Sequence, residues 1–412
     1  MRPIQTLFAL LVLLPVGVAD AGELHLLGAV PYSYATDVSA DGHIAIGHDG
    51  SGVWTWTYDT GVTFIPGALP PPNGVGGTPR ISADGVTTLV SMLDSTTQKS
   101  EATRLDLLMM EPGEVPTWGY NCDIASTSGW AMSPDGTVVA GLGYQIGCAA
   151  HGFVWRVGDA ALTQLPTAYF FKPTRVNAMS ANGDVVAGWN DDYSGYRQGA
   201  VWTKNAAGSY IETLLVGTGN LKLREAGVVS ANGQWVFGIG RSGLDGGAPY
   251  RWSAATGYQP IVPTPSADIG YVTDANADGS RLLCFFGMGG GAGYIWRAAT
   301  GYTALADYAA EFGVAVPADV SLGLPLGMSD DGLTIVGTAF GSFGMSPFVL
   351  DLRGGTPPCA GDPNGDGVVD GLDMGLVLSA WASAEPSADL NLDGVVDGLD
   401  MSVILSGWGA CP

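Results

Sequence analysis

Ser133-Pro-Asp-Gly136 is followed at once by Thr137-Val-Val-Ala-Gly141, and Ser180-Ala-Asn-Gly183 by Asp184-Val-Val-Ala-Gly188. A Ser-x-Asp/Asn-Gly turn ahead of an apolar run ending in Gly is a hairpin signal, because Asp-Gly and Asn-Gly supply the positive φ angles of a tight turn. The turn returns seven times, with Asn276 in the place of Ser in the sixth copy and the strand after it usually ending in Gly; its turn Gly stands at positions 42, 85, 136, 183, 233, 279 and 332. The spacings of 43, 51, 47, 50, 46 and 53 residues fit a four-stranded propeller blade and are too long for leucine-rich or ankyrin units. About 16 to 19 residues after most of these glycines comes an aromatic strand: Gly152-Phe-Val-Trp155, Gly199-Ala-Val-Trp202, Pro249-Tyr-Arg-Trp252 and Gly293-Tyr-Ile-Trp296, with Phe348 in the last repeat. Each unit reads as strand, turn, strand, variable loop, aromatic strand, turn, strand. One such sheet cannot cover both its faces, so the units must stack around an axis, each burying its Trp against the next.

The first repeat carries Trp54 and Trp56, whereas the second, around Ala102-Thr103-Arg104-Leu105, has no aromatic residue and is the weakest. The fold expected is mainly β, a propeller of about seven blades with six as the fallback. The last repeat stops after its third strand, Phe348-Val-Leu-Asp-Leu352, while Glu23 to Val30 supplies a strand without a partner. The N-terminal strand is therefore expected to complete the last blade and remove an open edge. Ala304 to Phe312 has helical composition and reads as a short insertion before the final repeat.

Composition agrees with a turn-rich β protein: 412 residues, 63 Gly, 25 Pro, 46% apolar and only 13% charged. Lys and Arg total 16 against 39 Asp and Glu, and a net charge of −23 repels phosphate backbones and anionic lipid. Nucleic acid and anionic membranes are thus excluded as expected partners. Met1-Arg2, the apolar stretch Ile4 to Val18 and the small-x-small site Ala19-Asp20-Ala21 read as a secretory signal peptide at 1–21, with no membrane span expected after its removal. An oxidising destination makes the cysteines candidate disulfides. Cys122 with Cys148 and Cys359 with Cys411 are the expected pairs from position, connectivity remaining open, and Cys284 is expected as a buried free thiol.

The repeats resemble the HAF repeats of bacterial extracellular proteins, in which a Ser-x-Asp-Gly strand pair precedes an Ala-Phe-x-Trp strand. The resemblance spans roughly residues 24 to 352 and rests on the Asp-Gly and Trp recurring in register. It implies a secreted, extracellular, cell-surface or periplasmic bacterial protein, and it assigns no reaction.

Beyond the Pro/Gly linker 353–358 the composition changes, residues 359 to 412 containing nine Asp or Glu and no Lys or Arg. Asp362, Asn364, Asp366, Asp370 and Asp373 occupy positions 1, 3, 5, 9 and 12 of a loop with Gly367 at 6 and the Val368 carbonyl at 7. Ca²⁺ takes six to eight oxygens, and alternating residues of a tight loop converge on one centre, so this is an EF-hand-type calcium loop. It returns 27 residues later as Asp389, Asn391, Asp393, Val395, Asp397 and Asp400, and Gly-Val-Val-Asp-Gly-Leu-Asp-Met is identical at 367–374 and 394–401. Two Ca²⁺ ions are expected, each loop leading into an apolar helix ending near Trp381 or Trp408. A partial copy, Asp274-Ala-Asn276-Ala-Asp278-Gly279, has Leu282 and Phe285 at positions 9 and 12 and coincides with a repeat turn, so it reads as propeller structure.

This duplicated loop-helix unit resembles a type I dockerin over residues 362 to 408. The resemblance implies calcium-dependent folding and docking onto a cohesin-like module, with Gly371, Leu372, Gly398 and Leu399 at the positions that contact the partner. Many dockerins carry polar pairs there. The two halves match each other, so docking in two orientations is implied.

No hydrolase or metalloprotease motif occurs, and the four His, at 25, 43, 48 and 151, have no metal spacing. No catalytic residue is therefore named. Loops between the second and third strands of all blades open on one side, and Trp189, Tyr193 and Tyr196 there are candidates to stack on a sugar ring. The expected organisation is a signal peptide at 1–21, a propeller at 22–352, a linker at 353–358 and a calcium module at 359–412. The leading reading is a secreted non-catalytic interaction protein docking onto a cohesin-like or cell-surface partner. The alternatives are a polysaccharide-active propeller enzyme of hydrolase or lyase type, and a surface structural protein.

Overall fold

A computed structural model of the chain describes residues 22–28, 30, 32–71, 76–119, 126–169, 171–287, 291–353, 361, 363, 368–383, 388, 390 and 395–410. The signal peptide at 1–21, linker residues 354–358, Cys122, Cys359, Cys411, and Asp362, Asn364, Asp366, Asp389, Asn391 and Asp393 lie outside them. The chain divides into two compact units, Gly22–Arg353 and Gly354–Pro412.

The first unit is a seven-bladed propeller whose blades are antiparallel sheets of four or five strands. Blade 4 shows the plan: Thr174–Met179, Val185–Asp191, Arg197–Lys204 and Tyr210–Leu214 run outward from the axis, where the first strands of neighbouring blades meet. Blade 7 is Ser321–Met328, Thr334–Gly341 and Gly344–Asp351, completed by Glu23–Leu26, with Glu23 opposite Asp351 and Leu26 opposite Phe348. The strand that starts the ring thus also ends it. Blade 2, the repeat without an aromatic, has the least regular inner edge: Arg80–Ile81 and Ala68–Leu69 both pair with Thr87–Leu93. The insertion is helix α1, Leu305–Glu311, whose Leu305, Tyr308 and Ala309 pack among residues of blades 6 and 7.

The repeated motif now has a structural meaning. Gly183 has φ 68°, the left-handed conformation that a side chain resists, and the Ser ahead of it knits the turn together. Ser180 Oγ donates to Asn182 Oδ1 at 2.9 Å and accepts from the Val185 N–H at 3.1 Å. Ser133 does the same for Asp135 and Val138. In blade 6 Asn276 takes the place of Ser and accepts from the Arg281 N–H at 2.8 Å, so the partial calcium-loop copy is built into a propeller turn. The Gly that closes the motif answers a different need. The inner strand of blade 4 has a β-bulge between Val176 and Ala178, which brings the Arg175 carbonyl so close to Gly188 that a Cβ there would clash with it.

The aromatic strand packs in the opposite sense to that expected. Trp202 lies with Val138, Ala140 and Val154 of the preceding blade, as Trp296 does with Val228, Phe237 and Ile261, and Trp56 with Val336 and Val349. Val201, one residue along, faces Val236 and Tyr250 of the following blade. Strand alternation requires that Trp202 and Val201 face opposite ways, but the neighbour each one meets is set by the handedness of the ring.

Candidate functional site

In the C-terminal unit, Val368–Val369 pairs antiparallel with Gly409–Ala410, and each half carries one helix, α2 at Gly371–Ser379 and α3 at Gly398–Ser406. Their cores meet through Val369, Val377, Ala388, Val396 and Ile404. Both helices start with a reciprocal cap made by loop positions 9 and 12. Asp370 accepts from the Leu372 N–H at 2.7 Å and Asp373 from the Asp370 N–H at 2.8 Å; Asp397 and Asp400 repeat both bonds. Asp400 also accepts from the Leu390 N–H at 2.7 Å. The corresponding residue in the first loop is Pro363, which has no N–H to give.

Asp373 and Asp400 are fully buried. A carboxylate withdrawn from water is costly unless hydrogen bonds and an opposite charge compensate. The donors at the remaining loop positions are carboxylates, amide oxygens and the carbonyls of Val368 and Val395, a hard oxygen set that suits Ca²⁺. The residues present therefore fit the ion. The module's surface is apolar at positions related by the 27-residue repeat: Leu372 and Leu399 are 67% and 58% exposed, and Leu378, Leu405, Trp381 and Trp408 are exposed as well. Gly371 and Gly398 open the two helices beside the exposed leucines.

The propeller offers two further surfaces. A central channel runs along the inner strands. At the turn end it widens to about 170 Å³ beside Asp37, Arg80, Met179 and Asp274, and at the loop end to about 400 Å³ beside Tyr34, His48, Arg80, Trp130 and Leu326. Asp37 accepts from the N–H groups of Val38 and Ile81, and Asp274 from those of Ala275 and Met328, so each carboxylate ties its inner strand to the next. Burial and the neighbouring Asp37 push Asp274 up to about 7, and burial raises Asp37 too. The folded state then holds a proton that the unfolded chain releases near pH 4, so stability falls as pH rises from about 4 to 7 and the loss is complete above that window. Asp274→Asn is expected to flatten by a few degrees the fall in the propeller's melting temperature between pH 5 and 8. An unchanged slope in scanning calorimetry would assign that pH dependence to other groups.

The second surface is the loop face of blade 4. Tyr193 is 69% exposed at the tip of the connection, and Tyr196 is partly covered, its hydroxyl donating to the Lys222 carbonyl at 3.4 Å. Trp189 is corrected from its expected place in the loop: it belongs to the strand Val185–Asp191 and is 4% exposed, its ring covered by Arg197 at 4.6 Å and Arg175 at 5.3 Å. Among the described residues no group of three His, Cys, Asp or Glu converges as a metal centre. Cys284 is a buried free thiol, and Cys148 is disulfide-bonded, its expected partner Cys122 lying outside the described residues. No helix among the described residues is long and apolar enough to cross a membrane.

Residues 360–405 match the profile of the dockerin type I domain. No curated protein matches the chain. Among solved structures, the chain resembles one from a study of two prolyl endopeptidases, with 13% identity, 82% of this chain and 48% of that one covered, and a TM-score of 0.53. It is similar to a chain of a mitotic checkpoint complex at 15% identity, covering 85% of this chain and 98% of that one, with a TM-score of 0.50. Against TolB from Acinetobacter baumannii the identity is 10%, the coverage 79% of this chain and 64% of that one, under two thirds of its length, and the TM-score 0.40. Likeness at these identities concerns the propeller fold alone.

Proposed function

We propose that this chain is a secreted, non-catalytic interaction protein, in which a propeller presents a ligand-binding face and the C-terminal module binds two Ca²⁺ ions and docks onto a cohesin-like module. The observation that carries this reading is the twofold-repeated apolar surface of Leu372, Trp381, Leu399 and Trp408 on a segment matching the dockerin type I profile. Exposed apolar side chains repeated at equivalent positions mark a contact surface rather than scattered surface hydrophobes. Apolar Leu where polar recognition pairs are common calls for a partner with an apolar contact face. The leader at 1–21, the HAF-like repeats and a Cys359–Cys411 bridge closing the module belong to the same reading, and non-reducing peptide mapping checks the bridge.

The matched halves allow either helix to lead. Leu372→Asp alone is thus expected to lower affinity about twofold, the loss of one of two equivalent orientations, with about 0.4 kcal/mol at stake. The double variant Leu372→Asp with Leu399→Asp is expected to lose at least thirtyfold, about 2 kcal/mol for a contact at an interface centre. Titration calorimetry of the full chain against a panel of cohesin modules, in calcium and in chelator, reads both. Binding that survives the double variant, or that ignores calcium, would overturn the reading.

A polysaccharide-active enzyme displayed by the same module is the second reading, and the channel acids Asp37 and Asp274 are what favour it. Their backbone hydrogen bonds give them a role in joining blades. Glycan depolymerisation by the full chain, lost in Asp37→Asn or Asp274→Asn variants that remain folded, is the result that would replace the binding reading.

A further inference from the structure

Charge is distributed unevenly over the propeller. Residues 172 to 241 hold seven of the sixteen Lys and Arg (172, 175, 197, 204, 222, 224, 241) against five Asp and Glu (184, 191, 192, 212, 225), a local balance of +2 in a chain of −23. Lys204 turns to Asp184 on the turn side of the blade. Of the other six cations, Arg241 lies in the second strand-to-third strand loop of blade 5, Arg197 opens the third strand of blade 4, and Lys172, Arg175, Lys222 and Arg224 lie at the entries to the inner strands, which open on the same face.

On this face cations and aromatic rings alternate. Lys172 Nζ is 5.8 Å from the Tyr193 ring centre, Tyr193 meets Tyr169 edge to face at 5.5 Å, and Lys222 Nζ is 5.3 Å from the Tyr169 ring. Next comes Tyr196, with the Arg241 guanidinium 5.1 Å from its centre. Beneath them Arg175 stacks 3.7 Å from Trp130 and also faces Trp189, whose indole N–H finds no acceptor among the described residues. Asp192 fixes the arrangement: one oxygen accepts from Ser194 and the Tyr196 N–H, the other from Lys222 Nζ at 2.6 Å.

Arg175 pairs with Glu225 and Lys222 with Asp192, whereas Lys172, Arg197, Arg224 and Arg241 have no carboxylate within ion-pair distance among the described residues. Asp191, cross-strand from Arg197, lends a longer-range counter-charge to Arg197 and Lys172, so Arg224 and Arg241 are the cations of this aromatic face with most charge to offer an external anion. Flat rings flanked by cations match a pyranose, whose C–H face stacks on an aromatic ring, bearing a pendant anionic group.

We propose that the loop face of blades 4 and 5, with Tyr169 at its edge, binds an anionic polysaccharide, a chain of pyranose rings carrying carboxylate or sulfate, along this ladder of cations and tyrosines. The inference rests on the reading of the chain as an interaction protein whose propeller presents a ligand-binding face. A polyphosphate chain is disfavoured because it has no C–H ring face to stack on the tyrosines.

The test is affinity electrophoresis of the full chain, in calcium, through gels holding polygalacturonate, dextran sulfate, fully methyl-esterified pectin or a dT20 oligonucleotide. Retardation by polygalacturonate or dextran sulfate, weakened by salt, is expected, and the stronger of the two names carboxylate or sulfate as the anion. Lys172→Gln with Arg241→Gln is expected to weaken retardation at least tenfold and Tyr193→Ala about tenfold, while Lys204→Gln on the other face has no effect. Tyr193 is mostly exposed, so its variant retains the fold, as an unchanged melting temperature verifies. Esterified pectin held as tightly as polygalacturonate would overturn the anionic inference while leaving a glycan-binding face. Retardation by none of the glycans would overturn both. Equal retardation by dT20, or none lost in Tyr193→Ala, would reduce the face to unspecific electrostatics and overturn the proposal.

Discussion

Removing calcium from the full chain is expected to abolish the thermal transition of the C-terminal module and to leave that of the propeller in place. Residues 359 to 412 contain nine Asp or Glu and no Lys or Arg, so the segment has no internal counter-charge. Two of those acids, Asp373 and Asp400, are fully buried. The module's core is small, its fully buried apolar residues being Val369, Val377, Ala388, Val396 and Ile404 among those described. A core of that size supplies about 3–5 kcal/mol at best. An ion at a thousandfold excess over its dissociation constant contributes about 4 kcal/mol per site, so two ions outweigh the core and decide whether the module folds. Asp400→Asn gives up the charge and keeps an acceptor for only one of the Leu390 and Asp397 N–H groups, and is expected to lose most of the calcium response of its loop. Asp400→Ala also forfeits the cap, about 1 kcal/mol more. Scanning calorimetry with calcium and with chelator distinguishes two transitions, and a module transition unmoved by chelator would refute the coupling.

The sequence made most of this architecture readable because its determinants are local. Ser180, Asn182 and Gly183 make one turn among themselves, so their recurrence counts blades without any tertiary knowledge. Closure was legible from a missing strand at one end and a spare one at the other, a consequence of the cost of an open sheet edge. The two acidic loops are equally local, with all candidate oxygen ligands of each within twelve residues.

What escaped is what depends on the ring. The Val201/Trp202 alternation is plain in the sequence, but which blade each residue meets follows from the direction in which the sheets are arranged. Trp189 reads as the first residue of a loop, yet the strand runs on to Asp191 and the paired Arg197 covers the indole. The cation–tyrosine ladder draws Tyr169 and Lys172 from one connection and Tyr193, Lys222 and Arg241 from three others, which no linear motif could bring together. The loop tyrosines Tyr193 and Tyr196 and the local charge balance of residues 172 to 241 are the signals that point to it.

Trp202→Ala is expected to be the most damaging single substitution in the propeller, because that side chain lies wholly within the interface between blades 3 and 4. It is 0% exposed, packed against Val138, Ala140 and Val154, and its indole N–H donates to the Pro166 carbonyl at 2.8 Å. Truncating a buried Trp costs about 3–5 kcal/mol through lost transfer energy and the cavity left behind. Leaving the Pro166 carbonyl without its donor adds about 1 kcal/mol. Blades interact chiefly with their neighbours, so weakening one interface weakens the closed ring while the C-terminal module, a separate compact unit, keeps its own transition. The propeller's melting temperature should drop by roughly 5–10 °C, given about 2 °C or less per kcal/mol for a unit of this size. Tyr193→Ala, at an exposed loop tip, should shift it by less than about 1 °C, since surface changes away from packed or hydrogen-bonded sites cost under about 0.5 kcal/mol. Equal shifts in the two variants would mean that the Trp of the repeat does not hold adjacent blades together, and the packing scheme that generates the ring from the sequence would have to be redrawn.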